Sequence, residues 1–156
     1  MLIRPVRLSA TLLFLVVWLG MSQQTRTPLG FWRDLVRKPL SGPNAGEEFL
    51  NTYQGAQLPN SATPYLEGAV VSVVQTTSRG RKLLLSMESN DTADAALLFD
   101  GRDWKLKTEP QKGTLVRFIG VARDFTKEPF LITFDPQRVE GIDVETTESN
   151  PPFRSR

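Results

Sequence analysis

The stretch YLEGAVVSVVQTTSRGRKLLLSME, residues 65–88, decides the fold. Val70, Val71, Val73 and Val74 carry β-branched side chains, which suit a pleated, half-buried surface better than a helix. Residues 65–76 therefore predict a first strand. Thr77, Ser78, Arg79 and Gly80 form a turn cluster, and residues 81–88 predict a second strand hairpinned to the first. Within it Leu83, Leu85 and Met87 fall on one face and Lys82, Leu84 and Ser86 on the other, the two-residue period of a sheet.

Toward the C-terminus the same signals continue. Residues 89–92 read as a polar turn and residues 93–99 as a third strand, stopped by Asp100 and Gly101. Residues 102–112 form a connector in which Trp104 and Leu106 pin a short helix or loop. Strands four and five come next, at residues 114–123 and 129–134. Gly120 inside strand four predicts a bend or bulge, as a small barrel needs in order to close. Three strands, a connector and two strands give the order of an OB-fold, a five-stranded, partly open Greek-key barrel. The fold class is all-β, with the barrel at residues 64–142. Residues 143–156 are polar, contain Pro151 and Pro152, lack an apolar period and are expected to be disordered.

Toward the N-terminus, residues 23–63 are rich in Pro and Gly and hold two short helices. Thr27 caps a helix that starts at Pro28, where a missing N–H costs nothing. Phe31, Trp32, Leu35 and Val36 share one face opposite Arg33, Asp34, Arg37 and Lys38, and Pro39 limits the helix. Packing on the barrel is the favoured reading, because a ten-residue helix is marginal alone in water. The alternative lays residues 31–38 on a membrane surface. The second helix, residues 47–53, gathers Phe49, Leu50 and Tyr53, and residues 51–63 read as linker.

The first residues carry an apolar run, LSATLLFLVVWLGM at 8–21, preceded by Arg4 and Arg7 and free of acids. As a helix it would be roughly 21 Å long, short of a hydrocarbon core of about 30 Å. A secretory signal over residues 1–22 fits better, with Gly20 and Ser22 spaced as a cleavage site and the cut before Gln23. The competing reading is a retained membrane anchor, supported by Arg26, Arg33, Arg37 and Lys38, since basic residues after the run resist translocation. Either reading makes the protein exported: periplasmic or envelope-associated, or held in the inner membrane.

Charge and composition exclude several functions. The chain has 19 Lys+Arg and 17 Asp+Glu, and two of the bases, Arg4 and Arg7, lie in the leader. The chain beyond the leader is neutral, which disfavours nonspecific binding to phosphate polymers, although a local stripe is compatible with zero net charge. Without His or Cys, the usual general base, thiol nucleophile and most zinc sites are absent. Neither Ser-x-x-Lys, Gly-x-Ser-x-Gly nor Gly-x-x-x-x-Gly-Lys occurs. Carboxylates cluster at Glu47 with Glu48, Asp91 with Asp94, and Asp100 with Asp103. Asn90, Asp91 and Asp94 could ligate calcium weakly, and Asp100 with Asp103 could form a hydrolytic pair. Neither spacing demands that chemistry, and turn acids and caps are the simpler explanation. No enzyme activity, cofactor or metal is expected.

KGTLVRFIGV, residues 112–121, resembles the Gly-x-x-Val-x-x-x-Gly segment of strand four in OB-fold domains. Leu66, Glu67, Gly68, Ala69, Val70 and Val71, and the closing Phe130, Leu131, Ile132, Thr133 and Phe134, are similar to strands of the tRNA-anticodon-binding-like OB domains of small exported bacterial proteins. The resemblance covers residues 64–142, about half the chain, and its glycine and valine punctuation is specific for fold and weak for function. It implies a ligand groove across strands two and three, flanked by the loops at 77–80 and 124–128. Arg79, Arg81 and Lys82 sit around the first loop, and Arg123, Phe125 and Lys127 around the second. Phe99, Phe118, Phe130 and Phe134 are read as barrel core, leaving Phe125, Trp104 or Tyr65 to face a ligand. The expectation is a binding module for a partner protein, a glycan or an oligonucleotide. The alternative is a membrane-tethered structural or assembly protein.

Overall fold

Eight strands occur in the computed structural model, which describes residues 25–60, 63–77, 79–88, 91–100 and 103–146. They are β1 (Gln57–Leu58), β2 (Leu66–Gln75), β3 (Arg81–Ser86), β4 (Ala95–Phe99), β5 (Trp104–Leu106), β6 (Leu115–Thr126), β7 (Leu131–Glu140) and β8 (Val144–Thr146). Five of them close a barrel in the order β6-β2-β3-β4-β7, with β7 returning to β6. All neighbours are antiparallel except β4 and β7, which pair in parallel through Ala95↔Ile132 and Leu97↔Phe134. The five expected strands are the five barrel strands. Alternation fills the interior: Leu83, Leu85, Leu97, Val116, Phe118, Ile132 and Phe134 are fully buried.

Strand β7 continues past the expected end at Phe134, through Pro136, to Glu140. Pro136 sits opposite Gly120, where the β6–β7 register slips. An irregular ladder tolerates a residue with no N–H, so this proline does not end the strand. Gly120 is the predicted bulge. A Cβ there would lie 2.9 Å from Cβ of Phe134, and its absence lets the two strands cross closely.

The segment before the barrel is part of the same core. Thr27 accepts a hydrogen bond from the Gly30 N–H at 3.1 Å and Pro28 opens the helix, as the capping pattern predicts. An α-turn (Pro28–Phe31) leads into a wider turn (Trp32–Arg37) and a tight one (Pro39–Ser41). As expected, Pro39 limits the helix, which stops at Arg37. The Lys38 N–H donates to the Arg33 carbonyl, five residues back, at 3.0 Å, and Pro39 opens the next turn, where it needs no donor. Phe31, Trp32, Val36 and Leu40 are buried. The apolar face meets protein, and the packed reading describes this helix.

Three further expectations need correction. In the second helical segment (Ala45–Glu48, then Phe49–Tyr53) Phe49 and Tyr53 are buried but Leu50 is 60% exposed. Residues four apart share a helix face and adjacent ones do not. The Tyr53 hydroxyl donates to the Leu35 carbonyl and ties the two helical segments together. The supposed linker contains β1, which extends the sheet through Gln57↔Val121, while Leu58 is buried. The boundary drawn between residues 63 and 64 thus falls inside one core. Finally, the connector holds β5, which pairs with β8 from the supposed disordered tail through Lys105↔Glu145. Leu106 is buried, with Trp104, Ile142 and Val144 packed against the same core. The leader, residues 1–22, and the tail residues 147–156 lie outside the described residues.

Candidate binding face

On the outside of the barrel, strand register brings distant residues into one row. Val74 pairs with Lys82, and Lys82 with Leu98. Leu97 pairs with Phe134, which sets Leu98 beside Asp135. Nη1 of Arg123 donates to Oδ1 of Asp135 at 3.1 Å. Successive side chains of a strand alternate between faces, and the buried partners Leu83, Leu97, Phe134 and Ala122 point inward. Val74, Lys82, Leu98, Asp135 and Arg123 therefore form one outward row over β2, β3, β4, β7 and β6.

Of the six expected site residues, only Lys82 and Arg123 share this row. Arg81 has the parity of Leu83 and Leu85, opposite Phe99, so it points to the other side of β3. Arg79 is exposed in the hairpin turn at φ +63°. That turn is closed by the Thr76 N–H donating to the Gly80 carbonyl at 2.8 Å. The second loop is shorter than expected, because Asp124 and Phe125 belong to β6 and the turn occupies residues 127–130. It carries the exposed Lys127 and a cis Glu128–Pro129 bond. Phe99 pairs with Arg81 beside the first turn, while Ala95 pairs with Ile132 beside the second. The length of β4 thus separates Arg79 from Lys127.

Phe125 is not presented to a ligand. Its ring stacks on Phe49 at 5.4 Å and meets Phe130 edge-on at 5.4 Å, an aromatic seam that joins the second helical segment to the hairpin. Nor do the other candidate aromatics stand free, since the Arg117 guanidinium lies 4.7 Å over Tyr65 and Trp104 packs on the core. One of the row's two cations is compensated. Arg123 bridges both Asp135 and Asp124. Its pKa is raised first by the hydrogen bond to Asp135, then by the charges of Asp135, Asp124 and Asp100.

The sequence reading singled out Asp94 as a turn acid or weak calcium ligand but not as a buried carboxylate. Asp94 is 2% exposed and accepts from the Met87 N–H at 2.8 Å, Arg37 Nη1 at 3.0 Å and Trp32 Nε1 at 3.3 Å. It latches the first helical segment to the loop between β3 and β4. Glu88 adds ion pairs to Arg33 and Arg37, and Arg37 lies over the Phe130 ring at 4.7 Å. Burial pushes the Asp94 pKa up, against the Met87 N–H, Arg37 and Trp32, with Glu88 pushing the same way as burial. The available signal was Trp32 on an apolar face, whose indole N–H needs a partner when buried.

With its oxygens so occupied, Asp94 is not placed to ligate calcium. Asp91 is on the surface, paired with Lys112 at 3.1 Å, and Asn90 lies outside the described residues. Among the described residues no three acidic side chains converge as a metal-holding group, and no helix is long and apolar enough to cross a membrane. No family model, curated protein or solved structure matches the chain.

Proposed function

We propose that the chain is a non-catalytic exported binding module whose ligand lies along the row from Val74 to Arg123. The observation that carries this reading is the row itself. It crosses the outer face of β3 and β4, and it sets aliphatic Val74 and Leu98 among charged Lys82, Asp135 and Arg123 on a closed barrel. Missing His and Cys agree with a binding role. The ligand is a partner protein, a glycan or an oligonucleotide. Neutral charge and the absence of a presented aromatic ring among the described residues favour the first two, because single-stranded nucleic acid needs both cations and stacking faces. Arrays of envelope glycans, single-stranded oligonucleotides and peptides, with Lys82→Ala and Leu98→Ser as controls, test this. A hit lost in both variants supports the reading. A hit untouched by either sinks it, and steep salt dependence identifies phosphate contact.

A second reading, a membrane-tethered assembly protein, draws on one observation. The packed structure already begins at Thr27 and Pro28, so a retained leader would hold the barrel close to the bilayer, with Arg26, Arg33 and Lys38 exposed. Mass spectrometry of the mature N-terminus separates the two. Met1 in the membrane fraction favours the tether, and a start near Gln23 favours the released module.

A further inference from the structure

Strand β2 has a neighbour on both sides over only part of its length. From Leu66 to Ala69 it lies between β3 and β6, and the Val70 N–H donates to the Thr114 carbonyl at 2.9 Å. The bulge between Val70 and Ser72 then turns the strand, and from Ser72 to Gln75 it pairs with β3 alone. Hydrogen-bond parity says which backbone groups this leaves. Alternate residues of a strand direct their N–H and C=O groups to opposite sides. The Thr76 N–H donates to the Gly80 carbonyl across the hairpin, so Val74 and Ser72 also point toward β3. Val73 and Gln75 point the other way, where no strand lies opposite among the described residues.

The side chains leave this edge unguarded. Natural edges are blunted by charge, proline or brevity. Strand β1 is short and runs into Pro59, β5 carries Lys105 and β8 carries Glu145. By contrast Ser72, Val73, Val74 and Gln75 bring neither charge nor proline. Val74 is 40% exposed, although a β-branched aliphatic side chain gains nothing from water.

We propose that this edge pairs with the same edge of a second copy of the chain, antiparallel about a two-fold axis at Val74. Unpaired main-chain donors and acceptors recognise another extended backbone, and this segment is complementary to itself. With the axis at Val74, Val73 of each copy exchanges N–H and C=O bonds with Gln75 of the other, which uses every outward backbone group of the two residues. Val74 then faces its own copy across a non-hydrogen-bonded position, with Cα atoms about 4.5 Å apart. Such β-branched cross-strand contacts stabilise sheets, and this one covers the exposed Val74. Charge does not oppose the pairing. Lys82, opposite Val74 on β3, stands three strand spacings from its copy, about 14 Å, beyond the screening length of about 8 Å. The ladder is short, so the dimer belongs with transient contacts that bury less than about 1,200 Å². It requires no ligand on the row from Val74 to Arg123, and each proposal can fail without the other.

The full chain contains no cysteine, so a single introduced thiol reports the register. Under mild oxidation Val74→Cys should give a disulfide-linked dimer at least tenfold faster than Ser72→Cys. Two copies of residue 72 would lie about 14 Å apart, too far for a disulfide. Sedimentation equilibrium of the parent chain should show a dimer that grows with concentration. It should be lost in Val74→Lys, which sets two ammonium groups face to face, and independently in Gln75→Pro, which removes an outward N–H and spares the β3 ladder. Both positions are exposed, and far-ultraviolet circular dichroism should be unchanged in both variants. Lys82→Ala and Leu98→Ser should dimerise like the parent. A chain still monomeric at about 1 mM, equal crosslinking of the two thiol variants, or a dimer that survives both Val74→Lys and Gln75→Pro would each overturn the proposal. So would exchange-protected Val73 and Gln75 amides in the monomer, since a segment of the same chain would then cover the edge.

Discussion

Replacing Asp94 by alanine strands two buried donors at once, the Met87 N–H and the Trp32 indole N–H. Each unsatisfied buried donor costs about 1–3 kcal/mol. The third donor, Arg37, is 36% exposed and can turn to water or Glu88, so it adds little. Removing a carboxylate whose burial is itself unfavourable offsets part of the loss. The net destabilisation is about 3 kcal/mol, a large share of the 5–15 kcal/mol typical of a domain. With a urea slope of about 1.5 kcal/mol per molar, the midpoint should fall by about 2 M. Urea titration followed by far-ultraviolet circular dichroism measures it, with Arg37→Ala as a control expected to cost under about 1 kcal/mol. A midpoint drop below about 0.3 M for the Asp94 variant would refute the latch.

Three other outcomes are expected. Trp32→Ala removes a fully buried indole packed against Phe130 and Phe134 and should cost about 3–5 kcal/mol, read by chemical denaturation. A loss under about 1 kcal/mol would mean that the helical segment is not part of the core. Gly120→Ala places a methyl 2.9 Å from Cβ of Phe134 and 3.1 Å from the Asp135 carbonyl oxygen. Neither atom is the end of a flexible chain, so the thermal midpoint should fall by an amount corresponding to about 1–3 kcal/mol. The last outcome concerns pH. Because the Asp94 pKa is raised in the folded protein, its contribution is complete below the ordinary value of 3.8 and is lost as pH rises through the raised value. Asp94→Asn removes that dependence, so the stability advantage of the parent protein over this variant should shrink as pH rises above 3.8. An advantage that grows with pH would mean that Arg37 and Met87 outweigh burial.

The barrel was legible because its strands carry their evidence locally. Val70 to Val74 and Leu83 to Met87 show the β-branched bulk and the period, and Gly120 marks the bulge. What escaped depends on partners far along the chain. Strands β1, β5 and β8 span two or three residues each, too few to show alternation, and exist only because Val121 or each other's backbones lie opposite. Strand β7 runs beyond the expected end at Phe134 because Pro136 is tolerated only through the slip opposite Gly120. On the outward row Lys82 and Arg123 come together because their positions follow from strand order. Phe125 was misplaced because its partner, Phe49, sits in a segment that looked like an appendage.

The dependence of Trp32 on Asp94 and Phe134 sets the order in which a nascent chain can finish folding. The helical segment that carries Trp32 leaves the ribosome early, but the surface it packs on is complete only once β7 has been synthesised. A polypeptide emerging N-terminus first would therefore remain unclosed until most of its length had emerged. Slowing release of the last strands should prolong its exposure to proteases, and the first peptide bonds cut should lie between Thr25 and Thr63.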